Sequence, residues 1–338
     1  MAPSRRSFIQ CCLMAAGAAA LGGAGTPALS DMPILSGDAR NPGYLELERS
    51  GELERRERAL WAMLKSCSLC PRQCHVDRLA GEKGVCGSAE AFRVASYGPD
   101  FGNEQAIRGT RGSGGFFLSH CNLLCVFCQN WQINHRGDGK ETSHAKLASM
   151  MLELQRRGCH NIGFITPTHL VPHLVKALRI AIAGGLHLPL CYNTSSYDSL
   201  EVIQLLDGVF DIYQADFKYQ DSTIAARFSH GASDYVLHAS AAIKEMHRQV
   251  GALQQTDGLA HRGLIVRHLV MPENVAGTDV FVRWVASELG SDTHVNIMGQ
   301  YRPEFRANKY PPLDRQITQA EFAQAMRWTR EAGLQNFH

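Results

Sequence analysis

The sequence lacks a strong charge of either sign. Its 338 residues carry 34 Lys and Arg against 32 Asp and Glu, which gives a formal net charge of +2. Domains that bind nucleic acid through its phosphates are usually more basic, with their cations gathered on one face. A basic stretch interleaved with aromatic residues is also missing. The composition therefore argues against nucleic acid as a partner.

Long apolar runs are scarce as well. Residues 11–29 are uncharged, but they are rich in Ala and Gly and too weakly apolar for a stable transmembrane helix. They follow Arg5 and Arg6 in a Ser-Arg-Arg-Ser-Phe run that is typical of twin-arginine export signals. A cut after Ala28 would fall among small residues. We expect a signal-like segment over 1–35, periplasmic export and no integral membrane span; a cytoplasmic protein with a fortuitous Arg pair is the alternative.

The eleven cysteines are not spread as a disulfide framework. Seven of them fall into two tight groups, which indicates metal ligation. Cys159 and Cys191 stand alone, and we expect each to be a small buried hydrophobic residue. Cys11 and Cys12 are interpreted as spacer residues of the signal-like segment.

The first group is Cys121, Cys125 and Cys128, at spacings of four and three. Three thiolates this close can hold three corners of one metal cluster, whereas iron–sulfur cubanes usually take four. The remaining iron would be open, and an open position is typical of catalytic metal sites. Residues 115–119 read as a strand, so the loop lies at its C-terminal end, where barrel enzymes carry their chemistry. A zinc knuckle or a set of buried thiols is the alternative.

A C-x3-C-x2-C run after a strand resembles the radical SAM signature. From about Leu64 onward the sequence is similar to PflX-like proteins, a branch near the pyruvate formate-lyase activating enzymes. The resemblance implies a [4Fe-4S] cluster on the three cysteines and S-adenosylmethionine (SAM) on its open iron. It places the adenine against Phe127, and it implies an electron donor such as a flavodoxin or ferredoxin.

The second group is Cys67, Cys70, Cys74 and Cys86, four soft ligands within twenty residues. Four thiolates close a tetrahedral site, and either Zn²⁺ or an auxiliary iron–sulfur cluster would fit. A full ligand set predicts a structural or electron-transferring role. PflX-like proteins carry the same Ser-Cys-x-x-Cys-Pro-Arg-x-Cys run.

Strand and helix patterns alternate after the first cysteine group, which favours parallel β/α units. The predicted strands cover 115–119, 161–165, 187–192, 210–215, 264–270 and 294–298. Six strands match the partial (β/α)6 TIM-like barrel of radical SAM enzymes, preceded here by a Cys-rich extension. The expected divisions are 1–35, 36–110 and 111–338.

Polar residues follow several predicted strands. Asp216 and Lys218 are two apart and point the same way, and both would be costly to bury unless paired. Lys218 would suit the SAM carboxylate, and Asp216 would suit its amino or ribose groups or a nearby cation. By resemblance, Arg267 matches an Arg of the activating enzymes that also reaches the SAM carboxylate. A surface ion pair and an outward-pointing Arg267 are the alternatives.

Two further strand ends depart from the activating enzymes. Thr166-Pro167-Thr168-His169 stands where they have Gly-Gly-Glu-Pro, and Asn193 stands where they have Asp. We expect Thr166, Thr168 and Asn193 to face SAM or its amino group.

These observations predict reductive cleavage of SAM to a 5′-deoxyadenosyl radical that abstracts hydrogen from a substrate. A protein substrate, such as one that acquires a glycyl radical, is suggested by the resemblance. A non-catalytic iron–sulfur electron carrier is the main alternative, and a zinc-stapled binding protein is another.

Overall fold

A computed structural model gives the structure of residues 42–338. The predicted signal-like segment, 1–35, lies outside the described residues, so export stays a prediction. No helix in the described part is both long and apolar enough to cross a bilayer.

Strands of the described chain join in one sheet around which the helices pack. They are β1 (Phe92–Asp100), β2 (Ser113–Leu118), β3 (Lys140–Thr142), β4 (Ile162–Ile165), β5 (Leu190–Thr194), β6 (Ile212–Asp216), β7 (Gln254–Thr256), β8 (Leu259–Leu269) and β9 (His294–Met298).

Six of these strands run parallel, in the order β2-β4-β5-β6-β8-β9. They correspond to the six predicted strands, and the α/β class with a partial (β/α)6 barrel is confirmed. The sequence patterns missed three flanking strands. β1 pairs antiparallel with β2, β3 with β1, and β7 with β8.

Helices separate the parallel strands in sequence. They are α1 (Gly43–Arg49), α2 (Glu52–Ala62), α3 (Gln105–Arg108), α4 (Trp131–Asn134), α5 (His144–Arg156), α6 (Val171–Ala183), α7 (Leu200–Leu205), α8 (Ser222–Phe228), α9 (Tyr235–Val250), α10 (Thr278–Glu288) and α11 (Gln319–Glu331).

Local sequence explains the clearest helix ends. The Ser143 hydroxyl accepts a hydrogen bond from the Lys146 amide at the start of α5. Thr318 and Glu321 form a capping box at the start of α11, where each side chain accepts from the other's backbone amide. In α5 the spacing of Leu147 and Leu154 puts both on the buried face.

The segment 101–112 fills the N-terminal end of the barrel. Ile107 on α3 is fully buried against Cys191, Ile212 and Ile265, which lie on neighbouring strands. The predicted burial of Cys159 and Cys191 is confirmed, since they are 2% and 0% exposed. With this end plugged, the open polar groups lie at the C-terminal ends of the strands.

Candidate active site

The first cysteine loop, defined as residues 121–128, follows directly after β2. Cys121 and Cys125 are buried and Cys128 is half-buried. The Val126 amide donates to the Phe228 carbonyl, and the Val126 carbonyl accepts from the Arg306 amide, both at 2.9 Å. Other elements of the barrel therefore hold the loop's backbone.

Backbone conformation within and beside this loop is unusual. His120 and Leu124 have φ values of 76° and 58°, in the left-handed region that bulky residues rarely adopt. Such conformations persist only where the surroundings hold them, and they concentrate at functional sites. The tight turns bring the three cysteines of the loop together.

Each sulfur of the loop accepts one hydrogen bond. The Leu123 amide lies 3.4 Å from Cys121 Sγ, Ser229 Oγ lies 3.2 Å from Cys125 Sγ, and Asn134 Nδ2 lies 3.3 Å from Cys128 Sγ. Donors of this kind stabilise thiolate ligands and tune the potential of a bound cluster. The roles of Ser229 and Asn134 were not predicted from the sequence.

The thiols interact electrostatically. Burial is the main cause that raises the pKa of Cys121 to about 11 and that of Cys128 to about 12, and neighbouring cysteines of the loop contribute to both shifts. Burial also raises the pKa of Cys125, although the Lys218 ammonium opposes it. A metal must therefore displace protons from these thiols when it binds.

This donor set fits three corners of a [4Fe-4S] cluster, because it offers three soft sulfurs that lie together with a hydrogen bond to each. Over residues 42–338, no three His, Cys, Asp or Glu side chains are arranged to hold a single metal ion. The assignment of ligands stays a prediction from the sequence.

A buried line of charges lies beside the loop. Lys218 Nζ is 2.7 Å from Asp216 Oδ2, and Arg267 Nε is 3.0 Å from Asp216 Oδ1. These three side chains are only 11–16% exposed, so Asp216 and Lys218 are not a surface ion pair and Arg267 does not point outward. The structure therefore brings three of the predicted residues together.

Glu104 extends this line of charges into the barrel, and the sequence did not predict it as a site residue. It comes from the plugging segment 101–112, and its Oε1 lies 3.8 Å from Arg267 Nε. Gln214 donates to it at 2.5 Å and Asn296 at 2.7 Å. Burial alone would raise the pKa of Glu104, but Arg267 and Asn296 outweigh it and lower the pKa. No motif or strand-end position marks this residue in the sequence.

Lys218 stays charged in this setting. Burial lowers its pKa, but the Asp216 carboxylate and Cys125 outweigh that effect and hold the pKa above its ordinary value. Lys218 lowers the pKa of Cys125, and Cys125 raises the pKa of Lys218, so the ammonium interacts with the first cysteine loop.

The remaining predicted residues lie at the same end of the barrel in different settings. Phe127 packs between Tyr219 and Tyr301, with ring centroids 6.3 and 5.9 Å away. Thr166 has a φ of 60°, and its amide donates to the Asn193 carbonyl at 2.9 Å.

Thr168 is turned into the protein. Its hydroxyl is 3.3 Å from the Thr194 hydroxyl, and the side chain is 1% exposed. The structure therefore does not bring this side chain to the charged line, whereas the half-buried Asn193 remains partly open.

The second cysteine loop, defined as residues 67–86, builds most of its own framework. The Cys67 amide donates to the Val76 carbonyl and the His75 amide to the Cys67 carbonyl, both at 3.0 Å. The Val85 amide donates to Cys74 Sγ at 3.3 Å. Gln73 and His75, on either side of Cys74, have left-handed φ values of 44° and 53°.

Three of its cysteines are buried and interact. Burial is the main cause that raises the pKa of Cys70 to about 12, and Cys86 and Cys67 contribute to the shift. Cys74 is half-buried. The loop offers sulfur donors of the predicted kind, while the metal stays a prediction.

Comparisons with known proteins follow this geometry. Residues 116–252 match the family model of the Radical SAM superfamily. The chain is 28% identical over 281 residues to an uncharacterized protein of Methanocaldococcus jannaschii, covering 80% of this chain and 76% of that protein. It is also similar to the crystal structure of a radical SAM methyltransferase from Sphaerobacter thermophilus. That similarity has a TM-score of 0.48 and 12% identity, and covers 87% of this chain and 91% of the other.

The family match begins inside β2 and continues past α9, so it includes the whole first cysteine loop and the Asp216–Lys218 pair. Together with the partial barrel, it supports a radical SAM domain in this part of the chain.

Proposed function

We propose that the protein is a radical SAM enzyme whose first cysteine loop holds a [4Fe-4S] cluster with one open iron. The observation that carries the proposal is the group of three interacting cysteines at the C-terminal end of β2, inside the segment that matches the superfamily. When bound, the cluster supplies the electron that cleaves SAM to methionine and a 5′-deoxyadenosyl radical.

The chain's own residues bind and orient SAM. Lys218 donates to the methionine carboxylate, with Arg267 behind it, and Asp216 accepts from the amino group. Because Asp216 now neutralises both cations, SAM binding exchanges one set of ion pairs for another within a buried site. Such an exchange limits the cost of desolvating the carboxylate. Phe127 is held by two tyrosines and supplies an apolar face for the adenine.

A substrate would enter at the C-terminal ends of the strands and would there lose a hydrogen atom to the 5′-deoxyadenosyl group. The likeness to PflX-like proteins supports a protein substrate, for example one that acquires a glycyl radical. A flavodoxin or ferredoxin supplies the electron. The Arg5–Arg6 run supports export by the twin-arginine route, which a reporter fused to residues 1–35 would test.

The second cysteine loop binds a metal whose ligand set is complete, either Zn²⁺ or an auxiliary iron–sulfur cluster. Four cysteines satisfy the metal, so the site is structural or carries electrons. Metal analysis of the purified protein distinguishes the two metals.

The decisive experiment adds SAM and dithionite to anaerobically reconstituted protein and measures 5′-deoxyadenosine. The proposal predicts formation of this product. An intact, reduced cluster without product would favour the alternative, a non-catalytic electron carrier, for which the adjacency of the two cysteine loops is the supporting observation.

A further inference from the structure

Arg72 connects the two cysteine loops. It belongs to the second loop, between Cys70 and Cys74, yet its guanidinium donates only to carbonyls outside that loop. The acceptors are Asn122 at 3.0 Å, Leu123 at 3.3 Å, Ser229 at 3.0 Å and His230 at 2.8 Å.

Two of these acceptors lie inside the first cysteine loop. Asn122 and Leu123 stand between Cys121 and Cys125, and the Leu123 amide donates to the Cys121 sulfur. The Arg72 contacts therefore hold the backbone between Cys121 and Cys125, including the Leu123 amide that donates to Cys121.

The other two acceptors adjoin the same site from the α8–α9 connection. Ser229, whose carbonyl accepts from Arg72, donates its hydroxyl to Cys125 Sγ at 3.2 Å. A single guanidinium thus holds the segments that supply hydrogen bonds to two of the three sulfurs.

The guanidinium is itself held in place. It lies over the Tyr197 ring at 5.1 Å, and the Tyr197 carbonyl accepts from Asn122 Nδ2 at 2.5 Å. The Asn122 side chain also interacts with the Cys70 thiol. The planar guanidinium of arginine has several N–H donors that point in different directions and can reach all four carbonyls. The donors of a lysine ammonium all lie on a single nitrogen.

We propose that Arg72 is a positioning residue that transmits the state of the second cysteine loop to the first. A metal on Cys70 and Cys74 would fix the backbone on both sides of Arg72, and Arg72 would then keep the first loop in the geometry that SAM binding needs. The inference rests on the proposed function of the first loop, and it holds for either metal in the second.

The test uses the full chain, anaerobically reconstituted, in six forms. They are the wild type, Arg72→Gln, Arg72→Lys, the quadruple Cys67→Ser, Cys70→Ser, Cys74→Ser, Cys86→Ser variant, that quadruple variant with Arg72→Gln, and the control Arg262→Gln. Arg262 also donates to a backbone carbonyl, that of Gln249 at 2.6 Å, but on the N-terminal part of β8. Each form is assayed for iron content, for the EPR spectrum of the reduced first cluster with and without SAM, and for 5′-deoxyadenosine formation.

We expect Arg72→Gln to keep the iron of the first site, to change the EPR response to SAM and to slow product formation about tenfold. Arg72→Lys should fall between it and the wild type, and it replaces Arg72→Gln should that variant not fold. The quadruple variant should show the same altered EPR response, and adding Arg72→Gln to it should produce no further change.

Two results would overturn the inference. One is an Arg72→Gln protein that matches Arg262→Gln in spectrum and rate. The other is a combined variant whose fold-reduction in rate equals the product of the two separate fold-reductions, because the effects of independent sites on the rate multiply. If the wild type forms no product, the proposed function fails, but the EPR comparison still decides whether Arg72 links the loops.

Discussion

The two cysteine loops are held in place differently. The second loop has four cysteines and orders itself through its own backbone, as in the Cys67–Val76 and His75–Cys67 hydrogen bonds. The first loop has three cysteines. Two of their sulfurs accept hydrogen bonds from side chains outside the loop, those of Asn134 and Ser229. A closed ligand set needs little from the rest of the fold, whereas an open one depends on it.

The side chains around the two cysteine loops also differ. The first loop lies beside Lys218 and the buried charges that continue to Glu104, which suit a zwitterionic ligand. The second loop meets the first through Arg72 and Asn122. We therefore expect chemistry at the first loop and a supporting role for the second.

Loss of the first site should have the largest effect. Cys125→Ala removes one of three cluster ligands, so we expect no detectable 5′-deoxyadenosine and a loss of about four irons per chain. Iron analysis and product assays check this. Cys159→Ala, at a lone buried thiol, is the control. Normal product formation by the Cys125 variant would refute the assignment.

Lys218→Met should have the next largest effect. It removes an ammonium that interacts with Cys125 while Asp216 keeps Arg267, so the iron should be retained. We expect SAM to bind roughly 10- to 100-fold more weakly, about 1.4 to 2.8 kcal/mol, from the loss of a charge-assisted hydrogen bond. Equilibrium binding measures this. Lys176→Met, at a lysine over the Trp61 ring, is the control, and equal affinities would contradict the role of Lys218.

Loss of the second site should be milder. Replacing Cys67 and Cys86 by Ser opens its ligand set, and we expect the metal there to be lost while the first cluster stays. Metal analysis should show about four irons remaining per chain. A variant with the wild-type metal content would show that the second loop binds no metal.

The smallest effect concerns stability and pH. Burial lowers the pKa of His169 to about 3; its ring hydrogen-bonds the Ser119 carbonyl, and its own carbonyl accepts from Arg78. Below pH about 6.5 the His169 ring binds a proton in the unfolded chain but stays neutral in the folded protein. The free energy of unfolding therefore falls as the pH drops toward 3, by roughly 1.4 kcal/mol per pH unit.

His169→Gln should remove that share of the pH dependence. Melting temperatures at pH 6.5 and pH 5 should differ less in this variant than in the wild type. His187→Gln, at an exposed histidine, is the control. An unchanged pH dependence in the His169 variant would contradict the assignment.

The six parallel strands could be predicted because each is a short apolar run between turn signals. The three antiparallel strands could not. β3 and β7 have only three residues each and depend on pairing, and the nine residues of β1 do not alternate continuously between buried and exposed positions. Asp216 and Lys218 were predictable because their spacing puts both on one face of a strand end.

Glu104, Arg72 and Ser229 could not be predicted in the same way. Each reaches the site through tertiary packing from another segment: Glu104 from the plug, Arg72 from the second loop and Ser229 from the end of α8. The Thr168 hydroxyl lies 3.3 Å from that of Thr194, a contact that its strand-end position did not predict, and its contact with SAM stays a prediction.

The most direct test of an open first site beside a closed second one is Mössbauer spectroscopy of ⁵⁷Fe-reconstituted protein, before and after SAM is added. We predict that a single iron changes its parameters when SAM binds, while every other iron keeps its spectrum. A spectrum that SAM leaves unchanged would contradict the account.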